Sequence, residues 1–242
     1  MTKTKTKTKT KKAKTKKGQL FSNDNPETTV HGYGFSDKAM AKKTLKDLEH
    51  RDPSYQFQVV NTLYNRAKHV LKKTNDSKKQ KNIQSAIALF HSWLQDYKKN
   101  KPKDYTYLPL SIINDYEIIA DFFDISRKAR GLNKPTKSDK GFLTVYREVK
   151  GDKKKLRNYP VKKSIPDGNT WDKFRNNYIK RRLTMLKNAD YGLEYKDGKY
   201  AGLPTKIHIN LIMNGYSPMS LSKLKKNIKK YERIIKELKS SS

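Results

Sequence analysis

Lysine constrains this chain more than any other residue. It alternates with threonine from Thr2 to Thr10 and then crowds together, so that Lys3, Lys5, Lys7, Lys9, Lys11, Lys12, Lys14, Lys16 and Lys17 fill the first eighteen residues without one acid. A segment with so little apolar surface cannot offset its ordering entropy, and residues 1–18 are expected to form a disordered polycationic arm. The 242 residues carry a formal charge of +33, and removing the nine arm lysines leaves +24. The remainder is therefore basic on its own account. Self-repulsion of that size loosens a compact state unless a counter-charge is near, and the densest polyanions in a cell are DNA and RNA.

Composition narrows the class further. The hydrophobic share is 34%, low for a globular chain but sufficient for a core. There is no cysteine, which excludes disulfides and thiolate metal sites and fits an intracellular or virion-interior protein. No apolar run approaches the roughly eighteen residues of a membrane span, and no secretory segment follows the basic start. A soluble, non-secreted, non-membrane protein is expected.

Periodicity then divides the chain. Residues 19–35 read as a tether, and order is expected from Ser36, the expected N-cap of a helix in which Ala41, Leu45 and Leu48 share a face. Asp52-Pro53 places a capping carboxylate ahead of a proline at the first helical position. Val60, Leu63, Ala67 and Val70 continue that helix, and Ile83, Ala86, Ile87, Phe90, Leu94 and Tyr97 mark a third. A three-helix bundle over 36–98 and a linker over 99–109 follow. A second helical domain is expected over 110–239. It opens with one buried helix from Leu110 to Ile125, whose Asp115, Glu117, Asp121 and Asp124 form an acidic island meeting lysines of neighbouring elements. A short helix from Ser138, a helix capped by Thr170 with Trp171, Phe174 and Tyr178 inward, and a tight hairpin near 191–203 around Lys196–Lys199 come next. Gly215 is expected to end a helix over Thr205–Asn214, and Leu221, Leu224, Ile228, Tyr231, Ile235 and Leu238 give the last helix heptad order. The fold class is thus mainly α: a bundle plus a second helical unit with a small β-hairpin, preceded by the basic arm.

Three segments carry candidate contacts with nucleic acid. The arm supplies point charges that neutralise phosphates without reading bases; a solubilising tail or a nuclear-import signal is the plainer reading, and its threonines offer phosphorylation sites. In the helix after Trp171, Lys173, Arg175, Asn176, Lys180, Arg181 and Arg182 bring guanidinium forks and an amide suited to phosphates and base edges. The competing reading is a solvated basic face. In the last helix, Lys225, Lys226, Lys229 and Lys230 lie outside the heptad stripe; that stripe docks on the body or, as the alternative, lets the helix self-associate.

Enzymatic signatures are sparse. The sequence has no glycine-rich phosphate loop, HExxH or G-x-S-x-G, and its five histidines lack metal-ligand spacing. No cofactor is expected. The acidic island is the one place where a Mg²⁺-dependent nuclease could be built, but residues 115 and 117 do not share a helical face.

Three blocks, Gly34–Val70, Thr170–Lys187 and Gly202–Pro218, resemble basic, mostly uncharacterised proteins encoded by large double-stranded DNA viruses of algae and protists. The resemblance covers about half the chain and rests on structural-looking rather than catalytic motifs. It implies a virion-interior, host-nucleus or viral-factory protein, associated with the genome or lying under the capsid. The expected function is sequence-tolerant nucleic-acid binding, DNA ahead of RNA, in packaging or organising a genome. The alternative is a structural protein whose lysines meet acidic or capsid proteins.

Overall fold

The computed structural model describes residues 30–126, 128, 130, 140–162, 169–188 and 192–241. The arm, most of the tether and the expected helix start at Ser138 lie outside them. Among the described residues the chain is mainly helical, and its apolar side chains gather into two clusters.

The first cluster belongs to three helices, α1 (Lys38–Leu48), α2 (Pro53–Lys73) and α3 (Ser77–Asn100). Ala41, Leu48, Val60, Leu63, Ala86, Phe90 and Leu94 form its buried centre. The cap of α1 is Asp37, not Ser36: its carboxylate accepts from the Met40 amide at 2.8 Å, and Ser36 Oγ donates to that same carboxylate. Thr44 takes a core position that the apolar spacing alone assigned to Leu45. Its hydroxyl both donates to the Gly34 carbonyl and accepts from the Gly34 amide, which fastens the incoming chain to α1.

Asp52 does precede α2, but its carboxylate makes no cap hydrogen bond. Asp104 caps the helix from fifty residues away, accepting from the Ser54 amide at 2.9 Å and from Ser54 Oγ at 2.5 Å. The segment expected to be a linker over 99–109 is therefore a strap held to both parts of the molecule. Leu108 is buried in the second cluster, and its amide donates to the Gly215 carbonyl at 2.8 Å.

The second cluster gathers α4 (Leu110–Asp115), α5 (Glu117–Phe122), α6 (Phe142–Glu148), a 3-10 turn (Lys155–Arg157), α7 (Trp171–Asn188), α8 (Lys206–Met213) and α9 (Leu221–Ser240). The single helix expected from Leu110 to Ile125 is two. It breaks at Tyr116, whose amide is shared between the Ile112 and Ile113 carbonyls and whose buried hydroxyl donates to the Leu224 carbonyl at 3.1 Å. The acidic island faces outward, and among the described residues two of its four carboxylates pair with arginines: Glu117 with Arg147 at 2.8 Å, and Asp121 with Arg130.

The hairpin near 191–203 reduces to one antiparallel bridge between Glu194 and Pro204, with the Tyr195 amide donating to the Leu203 carbonyl. The residues between them form a wider loop, because Tyr195 and Tyr200 turn their rings onto Phe123 at 6.0 and 5.2 Å instead of continuing a ladder. Glu194 in turn fixes α9, accepting from the Tyr231 hydroxyl at 2.5 Å and from Asn227 at 3.0 Å. Leu224, Tyr231 and Ile235 of α9 are buried in the cluster, so the face offered for self-association is already covered by the chain itself.

Gly215 ends α8 as the sequence leads one to expect. Its φ of +75° lets its own amide reach the Ile212 carbonyl while the Tyr216 amide reaches Leu211, the paired bonds of a Schellman motif. A Cβ there would lie 3.3 Å from the Phe142 ring.

His208 on α8 is fully buried, with Nδ1 donating to the Leu193 carbonyl at 3.0 Å and Nε2 accepting from Ser217 Oγ at 2.9 Å. The Nε2 bond requires the neutral ring, and burial pushes the pKa down to about 4 against the pull of the Leu193 carbonyl. Below the ordinary histidine pKa of about 6.5 the unfolded chain takes up a proton that the folded chain refuses. Stability should thus fall by about 3 kcal/mol as pH drops from roughly 6.5 to 4. Urea unfolding midpoints across that window measure the loss, which should be shallower in His208→Gln.

Candidate nucleic-acid interface

The arm lysines, Lys3 to Lys17, lie outside the described residues, so the body must be judged by itself. On α7 the expected inward phase is shifted. Trp171, Asp172, Arg175, Asn176 and Ile179 are buried, whereas Phe174 reaches the surface. A stripe made half of polar residues does not register as an apolar period, which is why the aromatics suggested a different face.

Arg175 is the main correction. It was expected to read phosphates or bases, yet it has no exposed surface. Its Nε donates to the Asn214 carbonyl at 3.2 Å, Nη1 to the Tyr105 carbonyl and to Asn176 Oδ1, both at 2.9 Å, and Nη2 to the Thr106 and Gly215 carbonyls at 3.3 and 2.9 Å. All five N–H groups of a guanidinium are thereby committed. Its plane lies over the Tyr107 ring with Cζ 3.5 Å from the centroid. Asn176 is withdrawn from the surface as well, donating to the His50 carbonyl at 3.0 Å and to Asp52 Oδ1 at 3.2 Å. Neither side chain is available to a groove.

Asp52 and Asp172 supply the negative charge of this junction. Burial raises the Asp52 carboxyl pKa against the pull of Arg175 and the Asn176 hydrogen bond. Asp172 accepts from Arg51 at 2.8 Å and from the Thr170 hydroxyl at 2.5 Å. Arg51 also donates to the Arg157 carbonyl at 3.3 Å, and the Arg157 guanidinium sits 3.7 Å above the Tyr55 ring. Arg51 and Arg157 went unnoticed in the sequence because no motif surrounds them. The one available signal is the position of Arg51 beside the Asp52-Pro53 break.

The remaining expected residues do face outward. Lys180 and Arg181 of α7 are exposed, while Arg182 lies partly over Tyr178 with Cζ 5.1 Å from the ring centroid. Lys173 is half-buried, and desolvation followed by the nearby Arg51 charge lowers its pKa. On α9, Lys225, Lys226 and Lys229 are exposed and make no ion pair among the described residues, while Lys230 pairs with Glu194 at 3.4 Å. The exposed cations among the expected contacts of the body therefore fall into two sets, the outer side of α7 and that of α9.

Among the described residues no group of three or more histidine, aspartate or glutamate side chains is placed to hold a metal ion, and no helix is long and apolar enough to cross a membrane. In comparisons with known proteins, no family model and no curated sequence matches the chain.

An architectural Arg175 and a nucleic-acid reader behave differently on substitution. Arg175→Met removes five hydrogen bonds and leaves the Asn214 and Tyr105 carbonyls without that donor, and should destabilise the fold by about 3–5 kcal/mol. Urea denaturation measures this. The salt dependence of duplex DNA binding by the folded fraction should not change.

Proposed function

We propose that this chain binds nucleic acid through the phosphate backbone without reading sequence, DNA ahead of RNA, and that it serves to package or organise a genome, in keeping with the virion or viral-factory setting its sequence resemblance implies. The observation that carries this reading is the kind of cation left outside. With Arg175 and Asn176 inside the fold, the outward charge rests mostly on lysines such as Lys180, Lys225, Lys226 and Lys229. A lysine ammonium is a point charge on a flexible stem, suited to neutralising phosphates and poorly suited to forked recognition of a base. The arm adds nine more such charges at one end of the chain. It extends the reach of the body and raises affinity, while the α7 and α9 surfaces form the second contact. Binding and not chemistry is the role proposed; the acidic side chains that a nuclease would need are in part engaged, Glu117 with Arg147 and Asp121 with Arg130.

Salt titration of binding to duplex DNA tests this directly. Each phosphate neutralised contributes roughly −0.9 to the slope of log affinity against log salt, so engagement of arm and body together should give about −5 or steeper. Deleting residues 1–17 should make the slope shallower by several units without abolishing binding, and Lys225→Glu with Lys226→Glu and Lys229→Glu should weaken what remains. Weak binding with a shallow slope in the intact chain would favour instead an assembly protein that meets acidic or capsid proteins. Supercoiled plasmid incubated with the protein and Mg²⁺ should stay intact on an agarose gel; nicking or linearisation would refute the non-enzymatic role.

A further inference from the structure

A cleft of about 500 Å³ opens where the bundle meets the start of α7. Its charged lining comes from four segments: Lys43 and Asp47 on α1, Arg51 in the turn before α2, Arg157 in the 3-10 turn and Lys173 on α7, with Tyr33 on the wall. Four cations thus surround one carboxylate. The Asp172 carboxylate behind Arg51 offsets that guanidinium, so three cations, Lys43, Arg157 and Lys173, are left facing Asp47. Lys43, Arg157 and Lys173 make no ion pair among the described residues.

The groups behind this lining are held within the fold. Arg51 is 5% exposed, yet its Nε has no hydrogen-bond acceptor, and neither does the Tyr33 hydroxyl. Both atoms are enclosed beside each other, behind the cleft wall and out of reach of a molecule within it. Lys173 is half-buried, and desolvation followed by the Arg51 charge lowers its pKa while Asp172, Asp47 and Glu49 pull it back up.

The size of the cleft distinguishes among anions. It falls within the range of small-molecule sites and far exceeds the space of a lone inorganic ion. Several lysines and arginines converging from different segments suit a group that accepts many hydrogen bonds at once, which is the property of a phosphoryl group. We infer that the junction cleft binds a phosphoryl group carried on a molecule of nucleotide size, with Lys43, Arg157 and Lys173 meeting its oxygens. The phosphoryl group belongs either to a free nucleotide or to the end of a polynucleotide strand. This site is separate from the α9 lysines and does not depend on backbone binding by the arm.

Calorimetric titration of the full chain with adenosine 5′-monophosphate, beside unphosphorylated adenosine, tests the inference. The monophosphate should bind saturably, one per chain, and adenosine should not. Lys43→Gln and Lys173→Gln should each weaken binding by about tenfold or more, the worth of one charge-assisted hydrogen bond. Lys43 is exposed on α1, so its substitution leaves the fold intact, which circular dichroism verifies. The triple α9 variant should bind the nucleotide as the parent does. Displacement by a 5′-phosphorylated oligonucleotide, but not by its unphosphorylated twin, would identify a strand end as the source; displacement by neither would identify the free nucleotide, and both support the site. Equal binding of adenosine and its monophosphate, full affinity in both cleft variants, or loss of nucleotide binding in the α9 variant would each overturn it.

Discussion

A fully buried guanidinium stands at the centre of this structure. Arg175 draws together carbonyls from two places far apart in sequence, Tyr105 and Thr106 in the strap and Asn214 and Gly215 at the end of α8. Burying a cation is expensive unless every donor is satisfied. Here four carbonyls, one amide oxygen and the face of Tyr107 provide that satisfaction, and Asp52 supplies a carboxylate one residue removed, through Asn176. The arrangement dictates much around it. The strap must run past α7 with its carbonyls turned inward, and the α8 terminus must adopt the positive φ that only Gly215 provides without strain.

The same junction joins two apolar clusters that share no buried side chain. Each buries its own helices, so hydrophobic packing alone would leave their relative placement loose. Polar contacts fix it: Arg51 to Asp172, Asn176 to His50 and Asp52, and Ser54 to Asp104. Directional bonds of this kind specify an orientation where oily surfaces only specify proximity. The cleft lined by Lys43, Arg51, Arg157 and Lys173 is a by-product of that geometry, because Arg51 and Arg157, which bridge the two parts, also line the space left between them.

How much of this was legible in the sequence follows from what kind of residue does the work. The α2, α3 and α9 helices announce themselves because their buried faces are apolar at helical spacing. Gly215 was legible because a glycine after a helical run has few other uses. α7 was legible as a helix but not in its orientation, since Asp172, Arg175 and Asn176 occupy the face that the pattern reserves for apolar side chains. The strap was misread as a linker for a different reason. Its contributions are the Tyr105 and Thr106 carbonyls and the Asp104 cap, and backbone acceptors leave no trace in composition. Lys225, Lys226, Lys229 and Lys230 stand on the outside, while Arg175 and Asn176, two of the six residues expected to make contacts from α7, are buried.

Among the described residues the buried cations are arginines, Arg51 and Arg175, and Arg157 lies close over the Tyr55 ring. The lysines are kept largely at the periphery, and the arm contains no arginine at all. This division separates the fold from the charge it displays. Acetylation acts on lysine and leaves the guanidinium untouched. A lysine-directed acyltransferase could therefore strip charge from the arm and from α9 by degrees while the Arg175 hub stayed whole. Under the proposed role, the grip on a polyanion would be adjustable without unfolding the molecule.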